Sequence, residues 1–235
     1  MVRNSDTWRS DHLLKRGFIG FCLICMVASS IQFIPVQYIQ SNQVNVNNVT
    51  LTIEFFGAYI IMLNFAVYAY RRYGNGNIFK MLSLKDYQLT AFATVMSFLI
   101  AQAYIFMFDI FFQNRFRIEA IHFSKDLYNN TWSLILLVLG FVFLSPILEE
   151  LVFRAYILDV AFSDKWRWLG EIVSALFYGL FHMRYHNLFS FIFFAQYGFW
   201  MAWLYNQTRN VKAAILMHIV LNAVTISIVG YYYYD

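Results

Sequence analysis

From Trp132 to about Val160 the sequence forms one long apolar run, and three ionisable side chains, Glu149, Glu150 and Arg154, fall inside it. At about 1.5 Å per residue, a helix of that length exceeds the ~30 Å hydrocarbon layer of a bilayer. It must tilt, project into water or bend. Pro146 cannot donate to the Val142 carbonyl and crowds that turn, so the sequence predicts a kink just before Glu149. Ionisable groups at such depth are costly, face a bundle interior or a wet cavity, and by default mark a functional site with partners on neighbouring helices.

The whole chain fits a membrane setting. Of its residues, 60% are hydrophobic and only 13% charged, against roughly half and a quarter in an ordinary globular domain. Apolar runs at 17–36, 51–70, 89–112, 132–160, 168–183, 188–205 and 211–230 predict a single all-α, polytopic transmembrane helix bundle over residues 1–235. The count is about seven spans, or eight with a re-entrant or interfacial helix. Gly74-Asn75-Gly76-Asn77 is a turn signal, and Tyr231 to Tyr234 make an interfacial aromatic cluster.

Residues 1–16 are polar and basic, which predicts a cytoplasmic N-terminus. Seven spans then put twelve basic residues on the inside, four on the outside and Arg154 within a span. That bias favours a multi-pass cell-membrane protein with its C-terminus outside. The net charge of +4 is small and spread over loops, so it suits anionic headgroups and gives no support for nucleic-acid binding. Cys22 and Cys25 form a CxxC inside the first run, where lipid burial makes them inert thiols. His122 and His186 read as solvated loop histidines.

Partners for the charged stretch lie on two later runs. Ser174, Tyr178 and His182 recur at four-residue steps in one apolar segment, and His218, Asn222 and Thr225 share a face of the last. Within the stretch itself, Glu150 and Arg154 are four apart in the favourable order, acid before base. Glu149 is rotated by about 100° from Glu150. The expectation is a division of labour, with Glu150 and Arg154 as a structural ion pair and Glu149 as a general base. His182 would orient a water, and His218 with Asn222 would donate to the oxyanion of a tetrahedral intermediate. No cofactor is favoured. Zinc held by Glu149, His182 and His218 is the alternative, although the sequence has no HExxH and asparagine is a poor zinc ligand. Helix rises leave one tension: counted from the basic side, His182 lies deeper than Glu149.

The order Glu-Glu-x-x-x-Arg (Glu149, Glu150, Arg154), then Tyr178 four residues before His182, then His-x-x-x-Asn (His218, Asn222) resembles the CPBP family. That family includes CAAX prenyl endopeptidases and bacterial Abi and bacteriocin-processing membrane proteins. The resemblance covers roughly residues 130–230. It implies an intramembrane protease core, open towards the cytoplasmic leaflet, in which Glu149 and His182 activate water while His218 and Asn222 stabilise the oxyanion. Tyr178 stands where the family usually has phenylalanine, and Ala155 where it often has glycine. The short chain looks like a bacterial member, with maturation of a bacteriocin or signal-peptide precursor, or self-immunity, as its setting. Its substrate would be a peptide or membrane protein. The alternative is a non-catalytic membrane partner that regulates a sensor kinase or gives bacteriocin immunity by binding.

Overall fold

The computed structural model describes residues 5–29, 34–35, 47–74, 78, 80–112, 130–162, 164–183 and 188–234, without the side chains of 5–14 and 229–234. The described residues contain helices and turns and no strand. Among the described residues seven main helices follow one another: α1 (Ser5–Ala28), α2 (Asn48–Tyr73), α3 (Leu84–Phe112), α4 (Thr131–Ala161), α5 (Arg167–His182), α6 (Leu188–Thr208) and α7 (Val211–Tyr234). Of these, α2, α3, α4, α6 and α7 are long and apolar enough to cross a bilayer, so the chain is an all-α, multi-pass membrane protein. The other two are α1, which has a polar first half, and α5, which has only 16 residues.

Each predicted apolar run lies largely within one helix. The first is the most displaced, because α1 starts well before Gly17 and stops at Ala28. Ser29 closes the last turn: its N–H donates to the Cys25 carbonyl at 3.0 Å, and its hydroxyl donates to the Met26 carbonyl at 2.6 Å. The turn signal at 75–77, His122, His186 and the side chains of the terminal tyrosines lie outside the described residues.

α4 is the spine of the bundle, and its helical pitch changes twice. Gly140–Leu144 and Leu151–Leu158 are π-helical, and the α-helical turns Ser145–Glu150 lie between them. The predicted kink at Pro146 thus takes the form of a wider turn: the Ser145 N–H reaches back five residues to the Gly140 carbonyl. Gly140 is also where α2 crosses, since a Cβ there would stand 3.0 Å from Phe55 Cζ. Tyr59 of α2 hydrogen-bonds Ser145 Oγ at 2.7 Å, and Tyr156 donates to the Arg16 carbonyl of α1 at 2.9 Å. α4 is therefore held on two sides before α5 to α7 close around it.

At one end of the bundle three connections are tied together. The α6–α7 turn carries Arg209 at φ 49, with its N–H closing on the Tyr205 carbonyl at 2.7 Å, which is a left-handed C-cap made without glycine. Arg209 Nη2 pairs with Asp164 Oδ1 of the α4–α5 connection at 2.7 Å. That hydrogen bond holds the Asp164 carboxyl below its ordinary range. The tie is therefore complete at neutral pH and is lost as the pH falls through the lowered value. Lys80 Nζ donates to the Thr208 carbonyl at 2.7 Å, and Asn210 Nδ2 donates to the Met81 carbonyl at 3.2 Å, which brings in the α2–α3 connection. Ser83 and Asp86 form a reciprocal capping box at the start of α3.

Just inside that end, Arg167 Nη1 meets Asp159 Oδ1 at 3.0 Å, Arg167 Nε donates to Asn206 Oδ1 at 2.8 Å, and Tyr205 donates to Asp159 Oδ2 at 2.8 Å. Both charges are buried, so removing one strands the other. Arg167→Met or Asp159→Ala alone is expected to cost about 3–5 kcal/mol. The double variant should lose clearly less than the sum. Thermal unfolding in detergent measures this, and strictly additive single effects would contradict the clamp.

Candidate active site

The charged stretch of α4 faces α5, α6 and α7. Arg154 Nη1 lies 3.1 Å from Glu150 Oε1, one helical turn away, and both side chains are fully buried. Arg154 Nη2 also donates to the Gly198 carbonyl of α6 at 3.1 Å. That carbonyl is reachable because residue 198 has no side chain: a Cβ there would stand 2.7 Å from Tyr178 Cβ and 3.1 Å from Ala175 Cα. Gly179 of α5 is equally tight against Phe191 and Ala195 of α6. Small residues let α5 and α6 approach closely, a common solution for membrane helices, and the approach delivers a backbone acceptor to a buried guanidinium.

Glu149 is buried. Its Oε2 lies 3.7 Å from His182 Nε2 and 4.0 Å from His218 Nε2 and has no hydrogen-bond partner. His182 therefore reaches the carboxylate, and the discrepancy in depth is resolved. Counted from the Asp159–Arg167 pair, Glu149 is about 15 Å along α4 and His182 about 22 Å along α5. Helical side chains lean towards the N-terminus of their own helix. Because α4 and α5 run in opposite directions from that pair, the two side chains lean towards each other.

Both imidazoles have a definable tautomer. His182 Nδ1 is 3.0 Å from the Tyr178 carbonyl, which can only accept, so Nδ1 carries the proton and Nε2 is left as an acceptor. His218 Nδ1 is 2.9 Å from Glu150 Oε1, which likewise assigns the proton of the neutral ring to Nδ1. The ring of Tyr178 stacks on His182 with centroids 4.1 Å apart, and its hydroxyl stands 3.2 Å from His218 Nε2.

Glu149, Glu150, Arg154, Tyr178, His182 and His218 thus form one connected cluster. Asn222 is engaged differently, with its Nδ2 donating to the Phe141 carbonyl of α4 at 2.8 Å. Phe141 lies five residues before Pro146. In the local π-helical register its carbonyl would accept from the N–H of residue 146, which proline lacks. Thr225 turns back to the Leu221 carbonyl of its own helix, and Ser174 is buried with its hydroxyl unpartnered.

The zinc alternative can be tested against the same atoms. Bonds of about 2.0–2.1 Å in a tetrahedral site put neighbouring ligand atoms roughly 3.3 Å apart. Glu149 Oε2 is further than that from both imidazole nitrogens. Among the described residues no group of three or more His, Cys, Asp or Glu side chains could hold a metal ion.

The cluster spans α4, α5 and α7, and the comparison with known families covers the same region. Residues 131–224 match the family model Rce1-like, described as type II CAAX prenyl endopeptidase Rce1-like. The Rce1-like segment is therefore the part of the chain that carries the cluster, from the first residue of α4 to just beyond Asn222. It supports an intramembrane protease of the CAAX type. No curated protein and no solved structure matches the chain.

Three features of the site have no signature in the separate motifs: the Glu150–His218 bond, the Gly198 carbonyl and the Asn222–Phe141 bond. The last generates a test. Asn222→Ala is expected to cost about 1–3 kcal/mol by leaving the Phe141 carbonyl unpaired. Pro146→Ala, which restores an N–H, should recover part of that loss in the double variant. Equal losses from Asn222→Ala in both backgrounds, read by thermal unfolding, would refute the pairing.

Proposed function

We propose that the chain is an intramembrane endopeptidase in which Glu149 and His182 activate the attacking water. One observation carries the reading: a buried Glu149 oxygen without a hydrogen-bond partner lies 3.7 Å from the acceptor nitrogen of His182. Two facing acceptors call for a bridge that bears protons, and a water donating one hydrogen to each would turn its lone pairs outward.

Glu149 takes one proton from that water as its oxygen bonds to the scissile carbonyl carbon. The tetrahedral intermediate bears its negative charge beside α7, where His218 stands. Glu149 then returns the proton to the leaving nitrogen, the C–N bond breaks, and a carboxylic acid and an amine are released. Glu150 and Arg154 stay paired and hold His218 in orientation. No step uses a metal.

A peptide or the exposed segment of a membrane protein is the proposed substrate, either a CAAX-type tail or the precursor of a bacteriocin or signal peptide. The proposed orientation places the tied end of the bundle in the cytoplasm, because Arg71, Arg72, Lys80, Lys165, Arg209 and Lys212 gather there. Proteolysis is preferred to a purely binding role because the Rce1-like match spans every residue the chemistry requires.

Purified protein in liposomes should cleave at least one of a set of quenched peptides that includes a farnesylated CAAX peptide and unmodified hydrophobic peptides. Glu149→Ala should lower kcat by about 10²–10⁴, the range for a lost general base. Equal activity in the wild type and this variant would sink the proposal. A strong chelator should leave the rate unchanged, and loss on chelation with recovery on added zinc would replace the mechanism by a metal-dependent one. A cysteine at position 164 should react with an impermeant maleimide only from the cytoplasmic side, and labelling from outside would invert the orientation.

A further inference from the structure

Tyr178 meets three other members of the cluster, His182, Arg154 and His218. Its carbonyl accepts from His182, its ring stacks on that imidazole, and the Arg154 guanidinium carbon lies 5.1 Å from its ring centroid. Its hydroxyl is 3.2 Å from His218 Nε2. The direction of that last bond follows from the tautomer. With the His218 proton on Nδ1, facing Glu150, Nε2 can only accept, so the phenol donates.

A tetrahedral oxyanion needs hydrogen-bond donors aimed at it. In the neutral cluster both imidazole Nε2 atoms are acceptors, and one amide hydrogen of Asn222 is committed to the Phe141 carbonyl. The donors left are the second amide hydrogen of Asn222 and the phenolic O–H, and the phenol stands at His218 Nε2. We propose that Tyr178 is a catalytic residue whose hydroxyl donates to the oxyanion. When the substrate carbonyl enters, the O–H rotates about the Cζ–Oη bond from His218 Nε2 to the substrate oxygen. No proton is transferred in that motion, and His218, anchored by Glu150, keeps the phenol in place between turnovers. This inference rests on the reading of Glu149 as the base.

The test uses a peptide that the wild-type protein cleaves, a phosphonate analogue of it that mimics the tetrahedral state, and an N-methyl amide version that cannot be cut. Tyr178→Phe is expected to lower kcat by about 10²–10³ with KM within about threefold, as for other lost oxyanion donors. Phosphonate affinity should weaken by a similar factor, while affinity for the N-methyl peptide is unchanged. A kcat within about threefold of wild type, with Glu149→Ala inactive, overturns the role of Tyr178 and leaves the base intact. An active Glu149→Ala protein overturns the underlying mechanism instead. Equal weakening of phosphonate and N-methyl peptide overturns the proposal in favour of a packing role. If Tyr178→Phe does not fold, Tyr178→3-fluorotyrosine carries the test with a more acidic donor of nearly the same shape. A change in kcat of more than about threefold at constant KM is expected, and an unchanged kcat overturns the proposal.

Discussion

A permanently charged guanidinium sits at zero exposure in the interior of this bundle, and the arrangement of the site follows from what Arg154 requires. Burying such a group is tolerated only when opposite charge and hydrogen-bond acceptors surround it. Glu150 supplies the charge from the same helix, Gly198 supplies a carbonyl from α6, and the Tyr178 ring supplies a π face from α5. Gathering these partners around one ion holds three helices relative to one another. The bond from Glu150 to His218 brings in a fourth. Glu149, one residue away on α4, inherits a rigid frame without being consumed by it.

The same helix is also where the backbone ladder departs from the ordinary α pattern. π-helical turns commonly mark functional stretches, and here they lie on both sides of the two glutamates. The wide turn before Pro146 leaves a carbonyl without its helical donor, and a side chain of α7 provides the missing proton. In a hydrocarbon setting every backbone group must find a partner within the protein. The irregularity in α4 thus becomes an attachment point for α7.

Much of this architecture was legible in the sequence, and the limits of legibility are physical. Apolar runs located the seven main helices of the described residues because the bilayer fixes how long a helix must be, and only α1 was substantially displaced. Glu149, Glu150, Arg154, His182 and His218 could be singled out because polar groups in apolar helices are few and must meet. The partners supplied by the backbone could not be read this way. The Gly198 carbonyl and the Phe141 carbonyl become acceptors only once helices pack, and carbonyl groups are present at every position of every sequence. Helix periodicity gave the face that Asn222 occupies but not the Phe141 carbonyl across from it. Tyr178 read only as one member of the stripe that ends at His182, because the contact that makes its hydroxyl chemically interesting comes from a helix forty residues away.

The shortness of α5 has a consequence outside the protein. Its 16 residues extend about 24 Å, less than the ~30 Å apolar layer beside it. Trp168, Ile172, Leu176 and Leu180 line its outer surface, so lipid meets this helix directly. A membrane in contact with too short a hydrophobic surface thins to match it. His182 is the last residue of α5, and its side chain is 27% exposed while its partners are buried. Thinning of the bilayer beside α5 would thus fall where the site is most open. Under the proposed mechanism, such thinning would shorten the apolar path that a substrate's polar backbone and a reacting water have to cross.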